Sequence, residues 1–206
     1  MDWVVVVPVK PAAEGKTRLA GLLCPSERAA LARAMALDTI QAAAATPGVA
    51  RVLVVTSDDE LEAAVPFVVD DPGGGLNAAV RAGLAAATGT VAVLLGDLPA
   101  LRPDDLHAAL VLAERHPRAF VADADGTGTT LLTGLTAFTP QFGTGSAALH
   151  EASGHVRLDI PSGSTLRRDV DLPADVTAVE RLGVGSRTAA ALSRMGLGSG
   201  STVDQG

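Results

Sequence analysis

Residues 90–99 read TVAVLLGDLP. The first six are apolar or β-branched, with no polar alternation, which predicts a strand buried on both faces, as in a mostly parallel sheet covered by helices. Working outward, further strands are predicted at 3–9 (WVVVVPV), 51–56 (RVLVVT), 66–69 and 119–122. Between them lie helical patterns at 26–45, with Ser26 as N-cap, and at 57–64, 76–87 and 104–116. This alternation defines an α/β fold, a three-layer αβα, Rossmann-like domain. After Asp125 the pattern weakens: loops at 126–130 and 142–146, a short helix to Glu151, a strand and turn at 167–171, and a helix at 173–181. One domain is expected over 1–195, with a disordered Gly/Ser tail at 196–206.

Composition narrows the function classes. Of 206 residues, 48% are hydrophobic and only 2% aromatic, so the core is expected to be Ala, Val and Leu. A net charge of −7 argues against broad attraction to nucleic acid or to an anionic membrane, so a bound anion must be held locally. The single cysteine, Cys24, leaves no internal disulfide framework and reads as a small side chain opening a helix. No signal segment or membrane-length apolar run is present, and a cytoplasmic protein is expected, as monomer or homodimer.

In an open α/β sheet ligands bind beyond the carboxyl ends of the strands. Lys10 follows the first strand, in a loop that also holds Lys16 and Arg18; these are the only two lysines, against fourteen arginines. The Gly15-Lys16-Thr17 tripeptide is not a P-loop. Lys10 stands where its first glycine would be, and Pro11 lacks an N–H. Asp97 directly follows the central strand, where an unpartnered buried carboxylate is costly and a divalent cation would supply the partner; the alternative is a turn or capping role. Asp169-Val170-Asp171 would place two carboxylates on one face of a strand end, as metal ligands or as a cap before Pro173.

Thr127, Thr129, Gly143 and Ser146 sit in glycine-hydroxyl loops suited either to a small anion or to plain turns. Gly73-Gly74-Gly75 before Asn77 could admit a base or ribose, or act as a linker. No role is assigned to His107, His116, His150 or His155. Arg167 and Arg168 would pair with phosphate or with the acidic cluster. Leu182-Gly183-Val184-Gly185-Ser186 has the form of a helix-hairpin-helix, a DNA-binding module or a simple packing element.

Taken together, VPVKPAAEGKTRLA (7–20), GDLPAL (96–101), ADADGTGTTLL (122–132), FGTGS (142–146), DVDLPADV (169–176) and RLGVG (181–185) resemble, in order, the CofC/FbiD family. These are the phosphoenolpyruvate or 2-phospho-L-lactate guanylyltransferases of coenzyme F-420 biosynthesis. The resemblance implies the nucleotidyltransferase fold of nucleotide-diphospho-sugar transferases and molybdenum-cofactor guanylyltransferases. It further implies GTP and phosphoenolpyruvate as substrates, Mg²⁺ as cofactor, and Asp97, Asp169 and Asp171 as its ligands. Thr129, Gly143 and Ser146 would then bind the three-carbon acid. Lys10, Lys16 and Arg18 would hold the GTP phosphates, with Asn77 also on the nucleotide. Phosphoenolpyruvate, 2-phospho-L-lactate and 3-phosphoglycerate remain alternative acceptors.

Overall fold

The computed structural model describes residues 1–10, 19 and 21–198. Seven strands form one sheet: β1 (Trp3–Pro8), β2 (Val49–Thr56), β3 (Val68–Asp70), β4 (Thr90–Leu94), β5 (Arg118–Ala122), β6 (Thr129–Gly134) and β7 (Val156–Arg157). Their order is β3-β2-β1-β4-β6-β5-β7. Only β6 is reversed, antiparallel to β4 and β5, while the other pairings are parallel. The helices are α1 (Pro25–Ala44), α2 (Asp59–Glu62), α3 (Leu76–Ala86), α4 (Pro103–Ala113), α5 (Ser146–Ala152), α6 (Pro173–Leu182) and α7 (Ser186–Arg194).

The central strand of the sequence reading is β4, and the mostly parallel α/β sheet stands. Three local expectations are corrected. Helix α1 is capped by Cys24 rather than Ser26, because Pro25 occupies the first helical position, where its missing N–H costs nothing; Glu27 reaches back to the Cys24 N–H at 2.8 Å. Residues 129–134 form the buried strand β6, with the Thr133 hydroxyl donating to the Ala119 carbonyl at 3.1 Å, so a threonine-rich segment is accommodated inside the sheet. The strand predicted at 167–171 is a 3-10 turn (Thr165–Arg167) followed by irregular chain, because the Val170 N–H pairs with the Asp97 carbonyl and not with a neighbouring strand.

Strand β1 shows why the layers form. Val5 and Val7 belong to the core cluster that includes Ile40 and Ala43 of α1 and Leu106 of α4, whereas Val4 and Val6 face the cluster with Val80 of α3 and Phe142. The two-residue period of the strand thus feeds both faces. A third cluster, outside the sheet, joins Leu19, Leu31 and Met35 to Val170, Val176, Val179, Ala191 and Leu192. It anchors Leu19, α1, the segment around Val170 and the C-terminal helix pair to one another.

The C-terminal helices end in that cluster, not on an open surface. Both carboxylate oxygens of the buried Asp38 accept from α7, Oδ1 from the Arg187 N–H at 3.2 Å and Oδ2 from the Thr188 N–H at 2.7 Å. The Gly185 N–H donates to the Pro99 carbonyl at 2.8 Å. The amides that a helix-hairpin-helix would offer to a DNA phosphate are therefore committed within the fold. Among the described residues no helix is long and apolar enough to cross a membrane.

Helix α3 lies close on the sheet through Gly83. A Cβ there would meet Val6 Cγ1 at 2.3 Å and Val55 Cγ2 at 2.8 Å. Gly83→Ala gains about 1 kcal/mol of helix propensity but overpacks two fully buried valines at a cost of about 1–3 kcal/mol. Net destabilisation is expected in urea titration, and a variant more stable than wild type would refute this packing.

Candidate active site

A cleft of about 740 Å³ opens at the carboxyl ends of β1 and β4 and at the amino end of the reversed β6. Lys10, exposed just after β1, lines one side. Asp97, Asp123, Asp169 and Asp171 line the cleft as well, together with Arg168, Thr127, Thr129, Gly143 and Ser146. Lys16 and Arg18 lie outside the described residues.

Asp97 is fixed from two directions. On one side the Thr39 hydroxyl of α1 accepts from the Leu98 N–H at 3.1 Å while donating to the Met35 carbonyl at 2.8 Å. On the other, the Asp97 carbonyl accepts the Val170 N–H at 3.1 Å. Val170 is fully buried in the third cluster, so the two carboxylates flanking it are carried on an anchored backbone. Asp171 is held further by Asp175, whose Oδ2 accepts from the N–H groups of Asp171 (2.9 Å) and Leu172 (2.6 Å) at the start of α6.

Burial, followed by the negative charges of Asp97, Asp171 and Asp123, raises the Asp169 carboxyl to about 7. Such crowding of hard oxygen donors fits a divalent cation. Among the described residues no three ligating side chains stand together as a closed metal cluster. A partial set suits Mg²⁺, which keeps several waters and uses one or two carboxylates alongside substrate phosphates.

Two neighbours of this set were not singled out from sequence. Asp123 closes the β5–β6 turn, accepting from the Thr127 N–H at 2.9 Å and the Gly128 N–H at 2.7 Å. Asp175 carries the capping signal of an acid three residues after the cap, legible in DLPAD. The Arg167 guanidinium donates to the carbonyls of Ala122, Asp123 and Ile160 and so locks the turn beneath Asp123, in place of the pairing expected with the acidic cluster.

On the opposite wall, Gly145 adopts a left-handed conformation (φ 72°) that turns the chain into α5 and presents Ser146 inward. Thr129 and Ser146 are buried at the cleft wall, with the Ser146 hydroxyl donating to Thr129 Oγ1 at 3.2 Å. Behind them is the fully buried His150, whose Nδ1 is 2.9 Å from Thr129 Oγ1 and whose Nε2 accepts the Gln141 N–H at 3.1 Å. Burial first, then the adjacent His155, lowers the His150 pKa to about 4. His150 follows Ser146 by four residues on one helix face, the signal by which it could have been found.

Asn77 does not line the cleft. Its side-chain NH₂ donates to the Phe142 carbonyl at 2.9 Å and its Oδ1 accepts the Phe142 N–H at 2.8 Å, so both ends of the amide pin the loop that carries Gly143. Asn77, expected on the nucleotide, thus has a supporting role in the loop beside the cleft.

A mostly parallel α/β sheet with one reversed strand, whose cleft sets a lysine beside several carboxylates, defines the class of fold and site. The fold agrees with solved structures. One is a candidate nucleotide-diphospho-sugar transferase from Desulfovibrio desulfuricans G20, with TM-score 0.68 and 16% identity, covering 94% of this chain and 95% of that one. Another is a nucleotidyl transferase from Methanothermobacter, with TM-score 0.56 and 20% identity, covering 88% and 97%. Residues 3–198 match the family described as guanylyl transferase CofC like, and the chain belongs to that family. It is 47% identical to the phosphoenolpyruvate guanylyltransferase of Sanguibacter keddieii over 98% of this chain and 88% of that protein. Identity to the phosphoenolpyruvate guanylyltransferase of Streptomyces coelicolor is 46%, over 95% of this chain and 98% of that one.

The Asp169 environment has a pH consequence. The folded protein holds the Asp169 proton more tightly than the unfolded chain, so between pH 3.8 and about 7 folding takes up protons. Stability relative to Asp169→Asn therefore falls as pH rises through that window. Without divalent ions, Asp169→Asn should exceed wild type at pH 8 by on the order of 1–3 kcal/mol, and the gap should close toward pH 4. Urea titrations at both pH values check this; a pH-independent gap would mean that the carboxylates are not crowded.

Proposed function

We propose that this chain transfers the guanylyl group of GTP to phosphoenolpyruvate, giving enolpyruvyl-diphospho-5′-guanosine and pyrophosphate, the reaction of coenzyme F-420 biosynthesis. The observation that carries the reading is the meeting of Asp97, Asp123, Asp169 and Asp171 with Lys10 in one cleft at the strand ends, where the crowded carboxylates raise Asp169. Such a site favours a cation, and through it a polyphosphate. The names of the relatives supply the substrates.

In the reaction a phosphate oxygen of phosphoenolpyruvate attacks the α-phosphorus of GTP as the bond to the β-phosphate oxygen breaks. The acceptor is already an anion, so no protein nucleophile is needed, and the chain contributes alignment and charge neutralisation. Lys10, with Lys16 and Arg18 from the same loop, would balance charge on the phosphates. Thr129, Gly143 and Ser146 would seat the acid. One or two of Asp97, Asp169 and Asp171 would hold Mg²⁺ alongside the substrate phosphates, and the ion when bound would neutralise charge developing on the transferred group.

Pyrophosphate release from GTP and Mg²⁺ is to be measured with phosphoenolpyruvate, 2-phospho-L-lactate and 3-phosphoglycerate in turn. Phosphoenolpyruvate is expected to be turned over fastest. Preference for another acid would reassign the acceptor, and no release with any of them would overturn the reading. Asp97→Asn should lower turnover on the order of 100-fold or more with its melting temperature retained, since the carboxylate acts on charge in the reaction and not in the core.

A further inference from the structure

The hydrogen bonds around His150 decide the polarity of the cleft wall. Its Nε2 faces a backbone N–H, that of Gln141, at 3.1 Å. That nitrogen must accept, so the ring proton of the neutral imidazole resides on Nδ1. Nδ1–H in turn donates to Thr129 Oγ1 at 2.9 Å. The opposite tautomer would set an N–H against an N–H at Gln141 and leave a buried donor unsatisfied.

Thr129 and Ser146 together carry two hydroxyl hydrogens. One lies in the bond between them, donated by Ser146 at 3.2 Å. With His150 and Ser146 both donating to it, Thr129 Oγ1 has its two lone pairs occupied, and its own hydrogen takes the remaining direction. Both residues line the cleft although each is nearly fully buried.

We propose that His150 is a positioning residue which, through the Thr129–Ser146 pair, fixes one hydroxyl hydrogen toward the cleft as a donor for an anionic oxygen of the acid substrate. Phe120 and Phe142 hold the imidazole ring, with ring centroids at 6.1 and 5.2 Å, so its orientation does not depend on the ligand. An unoriented hydroxyl pair could equally present a lone pair, which would repel an anion. The ring remains neutral at physiological pH, in keeping with its apolar enclosure. This inference rests on the functional reading above for the identity of the acid, but the polarity of the wall stands on the hydrogen bonds alone.

Two measurements test it. Nitrogen-15 NMR of the whole protein at neutral pH should find His150 as the Nδ1–H tautomer; an Nε2–H tautomer or a mixture would overturn the proposal. In steady-state assays on folded protein, Thr129→Val and His150→Phe should each raise KM for phosphoenolpyruvate about tenfold or more with KM for GTP little changed, although each leaves a buried N–H without its partner and so lowers the melting temperature. His150→Asn, whose NH₂ stands near the Nδ1 position, should recover KM to within about threefold. Because His150 acts through Thr129, His150→Phe should add less than about twofold in a Thr129→Val background. Independent, multiplying effects, or His150→Asn as impaired as His150→Phe, would overturn it. If wild type turns over none of the acids, the functional reading fails, and the tautomer measurement decides the wall polarity by itself.

Discussion

The Val170 N–H bonded to the Asp97 carbonyl is the constraint on which the site depends. It joins the end of the central strand to a segment more than seventy residues later, and it does so between the two outer carboxylates of the D-V-D sequence. Val170 is fully buried beside Leu19, Met35 and Ala191. The apolar side chain thus holds its acidic neighbours at the cleft against their mutual repulsion. Hydrophobic burial, worth about 1.5–3 kcal/mol for such a side chain, is of the size needed to offset like-charge crowding in a partly solvated cleft. The same cluster includes Leu19, just after the first loop.

The two walls of the cleft are built on different principles. The acidic wall crowds like charges, with Asp123 committed to two turn amides and Asp175 to the backbone of Asp171 and Leu172. The hydroxyl wall is built of neutral groups, with Asn77 and His150 tied to Phe142 and Gln141 of the loop between β6 and α5. One wall can therefore respond to the charge of its ligand, while the other offers a fixed pattern of donors.

Much of this was legible in the sequence wherever burial sets the pattern. Continuous apolar runs identified β1, β2 and β4, and the rule that ligands lie beyond strand ends led to Lys10 and Asp97. Thr129 came instead from its glycine-hydroxyl context and was read as loop, because β6 runs backwards and brings its first residue, not its last, to the cleft. Its run of threonines and glycines also reads as loop until the Thr133 hydroxyl is seen bonded inside the sheet. The D-V-D segment was found as a pair of carboxylates but misread as strand, since alternation in three residues cannot distinguish a sheet partner from a loop partner. Asn77 was noticed for its glycine neighbours, yet its amide faces Phe142, a contact 65 residues away that no local pattern encodes. Lys16 and Arg18 fall outside the described residues.

The capping of α7 by Asp38 bears on how the enzyme comes into being on the ribosome. The amides that satisfy this buried carboxylate arrive 149 and 150 positions downstream. Until they emerge from the exit tunnel, α1 presents an unmatched negative charge, and the apolar ground beneath Val170 lacks Ala191 and Leu192. The firmness of the acidic wall is thus tied to the docking of α7 on α1, not to the sheet alone.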